Sequence, residues 1–332
     1  MNGTQSSNAS EIVQEINSPL SVSEKAELGA YSVLFFSGLI LNLAVILLVL
    51  MKRVPRKNMH LFVANMAFAD TLSLFTIPAF MVISLSHRAS GKTFNLAINL
   101  RVFNFIAYTS LMASPVTLVI ISMERLRAVS SSVQLSPLSR RTLLALIVFS
   151  WVVSGGVMSV SLVPSTDNPH GLVYIIISYT FLVIPVPIIV AINIVIIRRL
   201  VRSQANLNIP EAQQIRRRRV FRSAVGMILS STLLYLVCAL PRYATETALW
   251  TFVYGLVTGR AEFDIDVFSS LFVTVKITRV FNYANAAFGP LIYFVFLDDF
   301  RAVLRKLVCC INSVRAEEGI EMHRRNGDNP GP

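Results

Sequence analysis

The chain has 332 residues, of which 54% are hydrophobic and only 14% charged, and its mean hydropathy is +0.62. So few charged side chains cannot cover a soluble surface, and disorder over most of the length is excluded because nearly every segment would seek burial or lipid. A net charge of +12 would fit nucleic acid, but the basic residues lie between apolar segments, where they mark membrane topology.

In a bilayer every backbone donor and acceptor must be satisfied within the protein, so a crossing helix needs roughly 20 apolar residues for a core ~30 Å thick. Residues 1–26 are polar and lack the apolar stretch of a cleavable signal. They read as an N-terminal tail in which Asn2-Gly3-Thr4 and Asn8-Ala9-Ser10 make Asn2 and Asn8 glycosylation acceptors. The first span is expected from Ala30 to Met51, without charge. The second, Leu61 to Ser86, carries Asp70. The third, Val102 to Met123, lies between Arg101 and Glu124. The fourth, Thr142 to Val163, and the fifth, Val173 to Ile197, are uncharged. The sixth, Ser223 to Pro241, lies between Arg222 and Arg242, and the seventh, about Val267 to Leu297, is interrupted by Lys276 and Arg279. After it, Phe300, Val303, Leu304, Leu307 and Val308 form one apolar helical stripe beside Arg and Lys. This predicts a short amphipathic eighth helix over 298–310 in the inner interface. Cys309 and Cys310 at its end are palmitoylation candidates or, on the other reading, two inert thiols. Residues 311–332 read as a disordered cytoplasmic tail. The expected fold is therefore an all-α membrane protein, a seven-transmembrane helix bundle over residues 27–297 with that short eighth helix.

Lys and Arg are retained on the cytoplasmic side during insertion. Lys52, Arg53, Arg56 and Lys57 follow the first span, and Arg125, Arg127, Arg140 and Arg141 bracket the link between third and fourth. The link between fifth and sixth holds Arg198, Arg199, Arg202, Arg216 to Arg219 and Arg222. Most of the 30 Lys and Arg residues thus fall on one side. The expectation is a multi-pass plasma-membrane protein with its N-terminus extracellular and contacts to membrane lipids. Its three cysteines are Cys238, Cys309 and Cys310, which leaves no pair for an extracellular disulfide. There is no internal repeat, Gly-rich phosphate loop or metal-spaced His/Cys cluster, and His60, His87, His170 and His323 sit at segment ends or in the tail. No enzymatic activity and no organic cofactor are expected.

An ionisable group at mid-bilayer costs at least ~2.5–3.5 kcal/mol, so each asks for a partner. Asp70 lies about ten residues into the second span, ~15 Å deep. Asn42 and Asn285 stand at matching depths and are candidate partners. Asn42 in Gly38-Leu-Ile-Leu-Asn42, Ala64-Asn-Met-Ala-Phe-Ala-Asp70, Met123-Glu-Arg125, Trp151, Pro185, Cys238-Ala-Leu-Pro241 and Pro290-Leu-Ile-Tyr293 resemble, span by span and in order, the rhodopsin-like (class A) G-protein-coupled receptors. The resemblance covers residues 30 to 310. It implies a receptor that binds an extracellular small molecule or peptide and activates a heterotrimeric G protein. In it Glu124 and Arg125 would restrain the inactive state and contact the G protein, with Pro241, Pro290 and Tyr293 serving the activating movement. Two further readings stand: an Arg125 that only marks the inner interface, and prolines that kink a static bundle.

The chain departs from the family pattern at several positions. Leu126 replaces the usual Tyr, Ala239 the usual Trp before the sixth-span proline and Gly289 the usual Asn before the seventh-span one. Asn193 stands where many relatives have Tyr, and Leu100 holds the usual disulfide position. Ser114 matches a position that joins Asp70 around a sodium ion, and Asp70, Ser114 and Asn285 supply oxygen ligands for a hard cation. A hydrogen-bonded, partly protonated Asp70 without sodium is the alternative.

The third-span acid of aminergic receptors corresponds to Ala107, and the opsin lysine to Tyr283, which disfavours an amine ligand and a retinal pigment. Helical rise puts Arg242 and Arg279 level near the outer border. Guanidinium forks suit carboxylates and phosphates, so an acidic lipid or peptide is the favoured ligand, in a pocket with Tyr108, Leu111, Tyr243 and Tyr283. Against it, Glu246, four residues after Arg242, can neutralise that arginine, and Arg279 can snorkel outward. A seven-helix transporter or channel would show repeat symmetry and charges along a path. A receptor fold with lost or weak signalling is the third reading.

Overall fold

The computed structural model describes residues 20–54, 58–90, 100–130, 138–159, 176, 183–205 and 211–306; side chains at 100–101, 128–130, 200–205 and 211–224 are outside that description. Asn2, Asn8, Cys309 and Cys310 lie outside it. Among the described residues the chain is helical throughout its ordered elements. The first span is α1, Val22–Leu50. The second is two helices, α2, Asn58–Leu74, and α3, Ile77–Ala89. The third is α4, Leu100–Ser130, and the fourth α5, Arg140–Met158. The fifth is α6, Pro185–Ala205. The sixth is again two helices, α7, Glu211–Cys238, and α8, Leu240–Val257. The seventh is α9, Ile265–Phe296. A 90° bend at Leu297 leads into α10, Asp298–Lys306.

Five spans among the described residues are long and apolar enough to cross a membrane, and α9 with α10 makes a sixth. The fifth span's first residues fall outside the description. Its visible apolar part runs from Pro185 to Ile197 before Arg198.

Several boundaries differ from the sequence expectation for identifiable reasons. The first helix starts at Val22 because Ser21 and Glu24 form a capping box: the Ser21 hydroxyl accepts from the Glu24 N–H at 3.2 Å, and the Glu24 carboxylate accepts from the Ser21 N–H at 2.9 Å. The second span is broken at Phe75-Thr76 because Pro78 has no N–H to donate to Leu74 and its ring crowds that carbonyl. Pro241 acts in the same way on the sixth span, which breaks at Ala239 and then continues to Val257, well past the expected end at Pro241. Gly259, at φ 69, takes the left-handed conformation that ends α8; the amides of Arg260 and Ala261 close back on the Gly255 carbonyl. Pro115 lies inside the third span.

The third span is the central pillar, packing on α2, α5 and α6, with 72% of its apolar window buried against 28% in the first span and 22% in the fourth. On α1 the two faces separate cleanly. Tyr31, Leu34, Gly38, Asn42, Val45 and Val49 are buried, while Val33, Phe36, Ile40, Leu43 and Leu47 are exposed. Both faces are apolar because the exposed one meets lipid rather than water. Gly38 lets α1 approach closely: a Cβ there would lie 2.6 Å from Leu74 Cδ1 and 2.8 Å from the Ala287 Cα.

Polar bonds tie the spans together. The Trp151 indole donates to Asn65 Oδ1 at 2.9 Å, and the Asn65 amide donates to Thr117 at 2.9 Å, joining fourth, second and third spans. Pro290 leaves the Ala286 carbonyl without its helical donor, and the Asn42 amide of the first span fills that vacancy at 2.9 Å while also donating to Gly38. Asn42 therefore repairs the seventh helix rather than bonding Asp70, as its depth alone would have allowed.

The bundle has two faces. Its N-terminal face carries the start of α1, the end of α8 and the start of α9. The opposite face carries α10, where Phe300 is fully buried against His60 and Phe294, and the His60 ring nitrogen lies 3.3 Å from the Asp299 carboxylate. Val303 packs on the core and Leu304 stays exposed; Leu307 and Val308 of the expected stripe lie outside the described residues.

Candidate functional site

Three layers of polar groups occur along the bundle axis. On the α10 face, Arg125 and Glu124 are neighbours at the end of the third span, with Arg125 Nε 3.5 Å from Glu124 Oε2 and the Arg125 fork donating to the Met59 thioether at 2.7 Å. Both side chains are about four-fifths buried. Nearby, the Gly226 backbone of the sixth span touches Phe296 at the end of the seventh. A Cβ on Gly226 would stand 2.7 Å from that ring, so the seam closes only because the residue has no side chain. Tyr293 is buried, its hydroxyl donating to the Met66 sulfur at 3.8 Å. The basic run Arg216 to Arg219 lies on α7, with side chains outside the described set.

In the middle layer Asp70 is buried, and Ser114 of the third span lies on the wall of the same cavity. The two line a cavity of about 20 Å³ together with Ser231, Asn285 and Tyr293. That volume holds one water or one small cation. Pro115 also lines it and, having no N–H, leaves the Leu111 carbonyl of the third span without its helical donor. Gly289 also lines the cavity, and a Cβ there would meet Asp70 Oδ2 at 3.7 Å, an ordinary van der Waals contact. Asp70, Ser114 and Asn285 are thus brought to one chamber. The oxygen donors suit a hard cation. Among the described residues no cluster of three His, Cys, Asp or Glu side chains forms a metal site.

The third layer lies toward the N-terminal face. Arg242 is fully buried immediately after Pro241, and its guanidinium meets Glu246 Oε1 at 2.8 Å. Arg279 of the seventh span approaches the same oxygen at 3.4 Å, and beside this contact Thr245 and Thr278 share a hydrogen bond of 3.0 Å. Arg242 and Arg279 stand level, as helical rise requires, because both reach one carboxylate. The Arg242 guanidinium carbon lies 6.0 Å from the Tyr108 ring centre and 5.8 Å from that of Tyr283, within cation–π range. Leu111 packs with Tyr283 and Tyr31, while Tyr243 pairs with the Tyr235 ring at 6.3 Å, one layer toward the bundle centre. Among the described residues the cluster sets two guanidiniums against one carboxylate. The Tyr283 hydroxyl and Glu246 Oε2, both buried, have no hydrogen-bond partner among the described residues.

Sequence reasoning missed two ion pairs that fasten this face. Glu27 of α1 meets Lys276 at 3.2 Å, and Glu24 meets Arg88 of the second span. It also missed Tyr31, whose ring packs edge-on to Tyr283 at 6.4 Å. Only the Glu24 capping box had a readable local signal. The pairings across helices had none, because they depend on which faces meet.

No curated protein matches the chain. Residues 41–293, however, match the family model of the 7 transmembrane receptor (rhodopsin family), from the start of the Asn42 region through Tyr293. With that match over three quarters of its length, and with landmarks of all seven spans ordered along one helical bundle, the chain belongs to the rhodopsin family of seven-transmembrane receptors.

Proposed function

We propose that the protein is a plasma-membrane receptor whose N-terminal face is extracellular, that it binds a ligand bearing one negative charge, and that it passes the signal to a heterotrimeric G protein at the α10 face. One observation carries the ligand reading. Among the described residues two guanidiniums, the fully buried Arg242 and the partly exposed Arg279, share one Glu246 carboxylate oxygen, and Arg279 at 3.4 Å is the more loosely held of the two, with part of its fork open to an anion. A carboxylate from outside completes it. The alternative in which Glu246 simply neutralises Arg242 accounts for one guanidinium and leaves the second. Ligand binding then shifts a closed–open equilibrium by its differential affinity for the two states. Glycosylation at Asn2 and Asn8 and palmitoylation at Cys309 and Cys310 belong to the same reading. The basic run Arg216 to Arg219 would face the G protein and anionic lipid.

Arg125 tests the coupling. In receptor reconstituted in nanodiscs with purified heterotrimers, Arg125→Ala abolishes receptor-dependent nucleotide exchange while leaving the folded fraction intact. Equal exchange by both proteins in the presence of each ligand pool would overturn coupling through this arginine and favour a receptor fold without signalling.

The Asp70 chamber is proposed to hold sodium, with Asp70 and Ser114 as the protein ligands and Asn285 on its wall. A cation bound to the folded state raises stability by mass action. Sodium chloride at increasing concentration therefore raises the unfolding temperature of the wild-type receptor relative to choline chloride at equal ionic strength, and Asp70→Asn removes the difference. Identical curves in both salts for the wild type would leave Asp70 as a hydrogen-bonded acid.

A further inference from the structure

The second span presents two sulfur atoms to Arg125 and Tyr293. Met59 and Met66 are both buried on α2, and helical rise sets them ~10 Å apart, two turns along one stripe. The Met59 thioether accepts from the Arg125 fork at 2.7 Å, and the Met66 thioether accepts from the Tyr293 hydroxyl at 3.8 Å. One face of α2 thus holds the end of the third span and the last turns of the seventh. Met59, Met66 and Tyr293 pack in one core with Phe62 and Val63.

A thioether is a weak acceptor, whereas a guanidinium carries five donors and gives up water when it is buried. The Arg125 side chain is only 21% exposed. Its Nε has no hydrogen-bond partner among the described residues, and Glu124 at 3.5 Å is too far to serve as one. Tyr293 stands in a similar position: it lines the Asp70 chamber, yet its hydroxyl is given to sulfur. Both donors are therefore restrained by bonds that a better acceptor readily replaces. The helix that restrains them is itself anchored. Asn65, next to Met66, donates to Thr117 and accepts from Trp151, and His60, next to Met59, lies 3.3 Å from Asp299. The second span is the fixed side, and Arg125 and Tyr293 are the groups that can leave it.

We infer that Met59 and Met66 form a two-point latch of the resting state, in which sulfur acceptors on one face of α2 hold Arg125 and Tyr293 until the bundle opens. The inference rests on the coupling reading above and names the device that regulates it. Methionine suits the task because it fills core space while offering a bond weak enough to break. Leucine at Met59 keeps the volume and removes the acceptor, whereas glutamine keeps the length and supplies a stronger one, a carbonyl. The two substitutions therefore act in opposite directions: Leu releases Arg125, and Gln holds it. A methionine that only filled space would answer both with the same sign, since each disturbs the same packing.

The test begins without G protein, on full-length receptor in nanodiscs with isotope-labelled methionine methyls read by NMR. Arg125→Ala should move the Met59 signal, and Tyr293→Phe should move the Met66 signal. Met59→Leu should shift Met66 intensity from its resting position toward the one seen in Tyr293→Phe, because opening one end of the latch frees the other. With purified heterotrimers added, Met59→Leu should raise ligand-independent nucleotide exchange by about two- to tenfold, and Met59→Gln should lower it below wild type. A Met59 signal indifferent to Arg125→Ala, or a Met66 signal indifferent to Met59→Leu, would overturn the latch and leave the coupling reading untouched. Leu and Gln variants that change exchange in the same direction, or not at all while Arg125→Ala abolishes it, would overturn the latch as well. The expected methyl responses with no exchange from any of the proteins, wild type included, would support the latch and overturn coupling instead.

Discussion

Glu246→Ala destabilises the receptor by about 3–5 kcal/mol, seen as a fall in unfolding temperature in nanodiscs, because it removes the carboxylate that two guanidiniums share, one of them fully buried. The size follows from desolvation rather than from the attraction itself. A buried ion pair is worth little relative to an apolar pair of the same shape, but a single buried charge left behind is costly. The control is therefore the double variant Arg242→Met/Glu246→Leu, which should recover most of the loss since only the partly exposed Arg279 then remains. Single and double variants of equal stability would show that the cluster is not held together by charge. The same comparison separates structure from ligand binding: the double variant should fold and yet lose response to acidic ligands.

Gly226→Leu raises ligand-independent nucleotide exchange several-fold. The added side chain enters space occupied by the Phe296 ring, which a Cβ alone would approach to 2.7 Å. Overpacking of this kind costs about 1–3 kcal/mol, enough to shift a two-state equilibrium by roughly five- to 150-fold if the open state relieves it. Relief is available because Ala239 and Pro241 already break the sixth span, so its α7 half can move without dragging α8. Phe296→Ala combined with Gly226→Leu should return exchange toward the wild-type level, since the small residue has then changed sides. If Gly226→Leu folds normally and its basal exchange equals that of wild type, the seam between sixth and seventh helices does not hold the inactive state.

Much of the architecture is legible in the chain because the bilayer is a demanding solvent. Apolar stretches such as Ala30 to Met51 are long and uncharged for the simple reason that no backbone group can be left to lipid, and Lys52 or Arg125 mark ends because charge is expensive within. The prolines at 78 and 241 act locally, so the breaks they cause follow from a few residues of sequence. The level placement of Arg242 and Arg279 also follows from helical rise alone, whereas their sharing of Glu246 Oε1 required knowing how the sixth helix is rotated against the seventh.

Span number, order and the basic side of the bundle were therefore determined by the sequence itself, through local composition and periodicity that a membrane translates directly into helices. Tertiary structure alone decided that Asn42 caps the carbonyl freed by Pro290, that Asp70 and Ser114 share a chamber with Gly289 on its wall, and that two arginines share one carboxylate. These are contacts between distant segments, set by helix rotation and by the approach that residues without side chains permit, and no window along the chain contains them.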